Sequence, residues 1–395
     1  MDTVTQITVF LKTQKDQLNK IKIKNDMVNK QKRGHLDIVC GGQFGDEGKG
    51  SVAAWLCTNR GGRSPKYDFT TRVGGYNAEH RFVHAGIDYT CRVLPCGLVE
   101  DSLNLYLGAG HLFSIDALDR EVVGIGINPN RILIDDRAGI VTDVHMKQSS
   151  KDPRKKRGGT TGQGAGKAAT HKVLRDGYFK TAVDYPELAK RYTIGNVAEQ
   201  INNDLINGDI GLLEGSQGAL ISLNHGYYPY CSAKDVTPAG ILAENGAGIS
   251  DVKDIYAIYR AYPMRVPGHS GPAGGEEIGW NAIEGRLGYA LPERMKRQTM
   301  PDGTKGGYER IFEWDWEEFE HSLTICSPTK LILTFADWHH ADNLKKNKFE
   351  DLDISTQGFI REMEATAARL LGRQVPVVLV RTGPNEKDYL IPPIA

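Results

Sequence analysis

The run Gly41-Gly42-Gln43-Phe44-Gly45-Asp46-Glu47-Gly48-Lys49-Gly50-Ser51 follows a short apolar segment, Leu36 to Cys40, and leads into Val52-Ala53-Ala54-Trp55-Leu56. That order reads as a strand, a glycine-rich turn and a helix. In such a turn the glycines let backbone N–H groups close around phosphate oxygens, and Lys49 adds a positive charge where the helix begins. A nucleotide site is the inference. The spacing is not that of the common phosphate loop, whose lysine is followed by Ser or Thr, because Gly50 stands there; nor is it a GxGxxG turn. Asp46 and Glu47 inside an anion-binding loop would repel phosphate unless a divalent cation bridges them or one of them acts as a base. The plain alternative is a turn that is merely rich in glycine and charge.

The chain around this loop is long enough for a large core. It has 395 residues, 40% apolar and 25% charged, which suits a globular enzyme. With 49 basic and 49 acidic residues the formal charge is zero, so no global field favours nucleic acid or a membrane surface. Cys40, Cys57, Cys91, Cys96, Cys231 and Cys326 lie scattered without CxxC spacing, which argues against zinc and against a disulfide scaffold and implies a reduced, cytoplasmic compartment. No apolar run approaches the roughly 20 residues that span a bilayer, and the N-terminus lacks the apolar core of a signal peptide. Residues 1–35 are polar and lysine-rich with partial helical periodicity, and read as an extension ahead of a domain over 36–395.

Three further segments carry candidate chemistry. Arg72-Val73-Gly74-Gly75-Tyr76-Asn77-Ala78-Glu79-His80 places a histidine in a glycine-rich turn, where it is either a loop residue or a catalyst. Gly158-Gly159-Thr160-Thr161-Gly162-Gln163-Gly164 follows a basic run and offers backbone and hydroxyl donors to an anion, or else is a solvated loop. The strand-like Ile210 to Leu213 leads into Glu214-Gly215-Ser216-Gln217-Gly218 and then Tyr228-Pro229-Tyr230-Cys231-Ser232-Ala233-Lys234-Asp235-Val236-Thr237-Pro238.

Together these motifs resemble the adenylosuccinate synthetase family over roughly residues 36–390, in the loop GQFGDEGKG, the GGYNAEH segment, the TTGQG segment and EGSQG followed by YPYCSAKDVTP. The resemblance implies an α/β fold with a mostly parallel sheet. It also implies a two-step ligase that joins aspartate to the 6-position of a purine mononucleotide at the expense of a nucleoside triphosphate. By the same matching, Asp46 and His80 are catalytic, and Gly45, Glu47, Gly48, Lys49 and Gly50 hold the triphosphate. Asp337, in the family's TKxD strand, reads the donor base. Asn77, Thr160, Thr161, Gln217, Cys231 and Ser232 hold the mononucleotide. Arg175 matches an arginine borrowed across a homodimer. Asp46 and the backbone carbonyl of Glu79, which replaces a family glycine, are implied ligands of Mg²⁺.

Finer features set this chain apart within the resemblance. The segment from Tyr228 to Pro238, Arg265-Val266-Pro267-Gly268-His269-Ser270-Gly271 and Arg310-Ile311-Phe312 are similar to a phage branch that makes the precursor of 2-aminoadenine from dGMP. That branch usually replaces the catalytic aspartate with serine, whereas Asp46 is kept. Phe335 stands where the family has a base-stacking lysine, which turns the expected donor from GTP towards ATP or dATP. In the loop between Pro292 and Trp316, where family arginines clamp the carboxylates of aspartate, the corresponding positions hold Gly307 and Glu309. Arg294, Arg297 or Lys305 are substitutes, or the amine donor differs. The expectation is a dGMP-using synthetase; its rivals are an ordinary IMP-using enzyme and a nucleotide-binding regulator without catalysis.

Overall fold

The computed structural model describes residues 32–58, 67–152, 162–299 and 305–393. Ten strands of the described residues form one sheet. In chain order they are β1 (Leu36–Gly41), β2 (Phe69–Arg72), β3 (Asn104–Leu107), β4 (Ile132–Asp135), β5 (Thr193–Gly195), β6 (Gly211–Gly218), β7 (Val252–Arg260), β8 (Lys330–Thr334), β9 (Val377–Arg381) and β10 (Tyr389–Leu390). Their order across the sheet is β5-β4-β3-β2-β6-β1-β7-β8-β9-β10, and every pairing is parallel except the last, β9 with β10. The expected α/β class with a mostly parallel sheet is what the chain adopts.

All six residues of β1 are buried, as a parallel strand covered on both faces requires. Alternate side chains enter different cores. Leu36, Ile38 and Cys40 join a core with Ile201, Leu205, Phe319, Leu323, Ile360 and Met363, from the helices Val197–Ile206, Trp316–Cys326 and Ile354–Leu371. Val39 faces the other core, built with the helices Lys49–Cys57 and Ile115–Ile125. The chain runs outward from β1 to β5, then inserts β6 beside β1 and continues on the other side with β7 to β9. The C-terminal ends at this reversal of direction are where an open parallel sheet leaves a crevice.

The loop after β1 makes room for itself with glycine. Gly48 has φ 79° where it caps the helix Lys49–Cys57, a conformation a side chain would strain. A Cβ on Gly50 would lie 2.8 Å from His80 Cβ and 3.2 Å from Cys96 Sγ, which is why no Ser or Thr follows the lysine. Of the N-terminal extension, residues 1–31 lie outside the described residues. Its last residues are tied to the domain: Arg33 pairs with Asp251 at 2.7 Å and Gly34 N–H donates to the Leu205 carbonyl at 2.8 Å. No described helix is long and apolar enough to cross a membrane.

Two tests follow from these packing constraints. Gly50→Ala should lower stability by about 1–3 kcal/mol in denaturant titration through overpacking against His80. Gly124→Ala, at a helical position with nothing within 4 Å, should not lower it. Asp37, 1% exposed within β1, has its carboxyl pushed up to about 6 by burial, against a 2.8 Å bond from Tyr67 and with Asp254 adding repulsion. A pKa raised above the unfolded value of about 4 means stability that is full below pH 4 and lost as pH rises through 6. Asp37→Asn, which cannot ionise, should therefore gain on wild type by on the order of 1–3 kcal/mol between pH 5 and 8, read as a widening gap in unfolding free energy.

Candidate active site

The C-terminal ends of β1, β2, β6, β7 and β8 open into a cavity of about 720 Å³. Its wall includes Gly45, Asp46, Gly48, Lys49 and Gly50 from the loop after β1, and Asn77, Glu79 and His80 from the turn after β2. Gln217, Cys231 and Ser232 come from β6 and the chain beyond it, and Phe335 and Asp337 follow β8. Segments far apart in sequence meet because parallel strands send their following loops to the same edge.

Within the loop the charges are sorted into pairs. Glu47 does not reach the cavity through its side chain. Its carboxylate is buried in the loop and accepts from Lys49 Nζ at 2.7 Å, Gly45 N–H at 2.7 Å and Gln43 N–H at 3.0 Å. Lys49 also donates to the Gly45 carbonyl at 2.9 Å. Asp46 points the other way, with a side chain 54% exposed and its Oδ2 2.7 Å from Arg260 Nη1. Phosphate repulsion, expected from the sequence, is thus offset by one cation for each carboxylate.

His80 is buried beside Glu214, which is fully buried in the middle of β6; the His80 Nδ1 and the Glu214 carboxylate share a short hydrogen bond. The other Glu214 oxygen accepts from Cys96 N–H at 2.7 Å, and Arg72 lies 4.0 Å away. Burial alone would push the Glu214 carboxyl up, but the His80 bond, Arg72 and the Cys96 N–H hold it below the ordinary value. Burial, reinforced by Arg72, brings His80 down to about 4, so the imidazole is neutral at pH 7. An ionised Glu214 fixes the proton on Nδ1 and leaves Nε2, which has no partner in the described structure, as the free nitrogen. Arg72 also shapes the turn ahead of His80 by donating to the Ala78 carbonyl at 3.0 Å.

On the β6 side, Gln217 adopts φ 69° and accepts from Ser232 Oγ at 2.7 Å. On the β8 side, Phe335 is also left-handed, with φ 57°, and starts the short helix that carries Asp337. Burial pushes the Asp337 carboxyl up to about 6, against the pull of Arg260 and Arg381.

The loop that departs from expectation folds as a hairpin, Arg297–Thr299 against Lys305–Tyr308. Arg297 lines the cavity, but its guanidinium stacks on Tyr308 at 4.0 Å and pairs with Glu293 at 2.9 Å. Arg310 is held by Glu277 and by the Gly271 carbonyl. A Cβ on Gly307 would meet Pro267 at 2.8 Å. Glu309 reaches Asp46: the two carboxyls hydrogen-bond, and burial followed by Asp46 pushes Glu309 well above the ordinary value. The side chains of Arg294 and Lys305 lie outside the described residues, as do Thr160 and Thr161. Arg175 does not line the cavity; it caps the helix Ala165–Leu174, exposed.

Sequence reasoning missed the roles of Glu214, Arg72 and Arg260 in this geometry. Glu214 and Arg72 stand inside motifs that were quoted for their neighbours. Arg260 closes an apolar strand with a charge, and a charge at the C-terminal end of a buried strand is the one signal that could have found it.

Comparison with known proteins gives the family. The sequence model of adenylosuccinate synthetase matches residues 38–183 and 178–348. The adenylosuccinate synthetase of Pyrococcus horikoshii is 32% identical over 360 residues, 90% of this chain and 97% of its own length. That of Methanocaldococcus jannaschii is 30% identical over 359 residues, 88% of this chain and 94% of its own. Among solved structures, the fully ligated adenylosuccinate synthetase of Plasmodium falciparum superposes with a TM-score of 0.76 at 20% identity, covering 91% of this chain and 100% of that one. The succinoaminodeoxyadenylate synthetase of cyanophage S-2L, bound to dGMP and to dATP as energy donor, superposes with 0.72 at 21% identity, covering 92% and 96%. At those identities the two structures speak for the fold, while the matched motifs and the archaeal relatives speak for descent: this chain belongs to the adenylosuccinate synthetase family of C–N ligases.

Proposed function

We propose that the chain phosphorylates the 6-oxygen of dGMP with a nucleoside triphosphate and displaces that phosphate with aspartate, giving N6-succinyl-2-aminoadenylate. The observation that carries the reading is the meeting of Asp46 and His80 on one cavity, with Glu214 behind the histidine. Asp46 takes the N1 proton, the electron pair moves through C6 to the 6-oxygen, and that oxygen attacks the γ-phosphorus as the diphosphate leaves. His80 stabilises the charge that gathers at the 6-oxygen by donating from Nε2, which takes up a proton as the anionic substrates bind beside it, and Glu214, bonded at Nδ1, stabilises the imidazolium so formed. The amine of aspartate then adds at C6, inorganic phosphate departs and the amine loses a proton.

The Asp46 carboxylate and the Glu79 carbonyl are hard oxygen donors beside the phosphate loop, too few for a full cage. They fit Mg²⁺, which keeps waters and phosphate oxygens in its shell. Such an ion would neutralise charge on the triphosphate. Phe335 in place of a lysine favours ATP or dATP over GTP as donor. A homodimer suits the place of Arg175, which is followed by exposed Tyr178 and Val183 and preceded by exposed Val173 and Leu174, with fractional exposures from 60% to 76%.

The choice of dGMP rests on Tyr230 to Lys234 and on Arg265, Val266 and Ser270, which line the cavity and are similar to the phage branch. IMP is the second reading, favoured by the retained Asp46 and by relatives that bear the ordinary enzyme's name. A different amine donor is favoured by Glu309 standing where an arginine is expected.

Asp46→Asn should keep nucleotide binding and fall below about a hundredth of wild-type turnover, the scale of a lost general base. Retention of more than about a tenth means that the base is elsewhere. A site that hydrogen-bonds the 2-amino group leaves its own buried partner unpaired with IMP, at roughly 1–3 kcal/mol. The expected preference for dGMP over IMP is at least about tenfold in kcat/KM, measured by mass spectrometry of the succinyl adduct. Adduct from IMP alone returns the chain to the ordinary reaction, and phosphate release without an aspartyl adduct points to another amine.

A further inference from the structure

Arg260 ends β7 beside the phosphate loop, 3% exposed although it carries a full charge. Its main chain is locked to that loop from both sides, its N–H donating to Gln43 Oε1 at 2.9 Å and its carbonyl accepting from Gln43 Nε2 at 3.1 Å. Its Nη1 donates twice to Asp46, to Oδ2 at 2.7 Å and to the main-chain carbonyl at 3.0 Å. The guanidinium lies 3.6 Å from the centroid of the Phe335 ring and 4.5 Å from that of Trp338. A planar ion with aromatic rings on its face and bonds at its edge has little freedom left to turn. Asp46 has the opposite surroundings. Its side chain is 54% exposed on a loop of glycines, and besides Arg260 it meets the Glu309 carboxyl, which brings no counter-charge.

We infer that Arg260 is a positioning residue, which holds the Asp46 carboxylate in the orientation that receives the N1 proton, while Phe335 and Trp338 keep the guanidinium from turning. This rests on the reading of Asp46 as the base. The benefit of the pairing is one of geometry. Burial works against the Arg260 charge, and Asp46 is first among the carboxylates that offset it, ahead of Glu309 and Asp337. Each partner therefore holds the other.

The test sets kcat for phosphate release against equilibrium binding of the purine nucleotide. Arg260→Ala should lower kcat about 10²-fold with the nucleotide Kd within about threefold, the split expected when orientation alone is lost. Guanidinium ion in the assay should restore kcat about tenfold or more, and methylammonium at the same ionic strength should not, since only a planar ion fits between Phe335 and Asp46. A misfolded variant would not respond to either. Phe335→Leu should lower kcat by itself yet add little to Arg260→Ala, because residues that act through one contact are not additive. A loss that guanidinium does not recover, or a fully additive double variant, overturns the inference. Asp46→Asn separates it from the reading beneath: turnover near wild type in that variant refutes the base, whereas an inactive Asp46→Asn beside an unaffected Arg260→Ala refutes only the positioning role.

Discussion

A carboxylate buried inside the phosphate loop holds its shape. Glu47 is 1% exposed, and removal of that charge from water costs on the order of several kcal/mol unless donors surround it. Lys49 and the N–H groups of Gln43 and Gly45 supply them. The consequences reach the strands. A Cβ on Gly41 would come within 2.4 Å of one Glu47 oxygen, and a Cβ on Gly218 within 2.5 Å of the other, so the ends of β1 and β6 are glycine to leave the carboxylate room. Thr334, the last residue of β8, donates its hydroxyl to the Glu47 carbonyl at 2.8 Å. Two strand ends are shaped by the Glu47 side chain and a third is tied to its main chain.

Much of this was legible in the sequence wherever the signal is local. The apolar run ahead of Gly41 and the helix after Lys49 follow from periodicity and from glycine, and the turn with Asn77 and His80 reads from a contiguous motif. The contacts that give those residues their character are not local. His80 and Glu214 are 134 residues apart, and Arg260 and Asp46 are 214 apart. No spacing rule links them, because the distance is closed by the order of strands in the sheet. Glu47 shows the same limit from the other side: its place in the loop suggested a phosphate ligand, and only the packing of Gly41 and Gly218 shows the side chain turned inward.

The charges around the cavity are committed before any ligand arrives. Among the described residues Lys49, Arg92, Lys234 and Arg260 each hold a carboxylate, from Glu47, Glu79, Glu244 and Asp46. Arg81 and Arg297 pair with Asp88 and Glu293, and Arg265 and Arg381 hold main-chain carbonyls. An anionic nucleotide thus meets cations that are already oriented, and shares them rather than gathers them. Preorganised donors of this kind need little rearrangement when charge develops on the reacting oxygen.

Glu309 alters that balance at one point. A cation at this position would pair with Asp46 itself and leave Arg260 free for a ligand. A carboxyl there does the reverse: burial and the neighbouring Asp46 favour its protonated form, and it meets Asp46 as a hydrogen-bonding group, not as a counter-charge. Glu79, on the same wall, adds to the repulsion. Among the described residues the cation in contact with the Asp46 carboxylate is Arg260, at the end of the neighbouring strand β7 and held flat by Phe335 and Trp338. The two departures from the expected sequence, Glu309 and Phe335, therefore belong together. One sets a second carboxyl beside Asp46, and the other supplies the ring on which the Arg260 guanidinium rests.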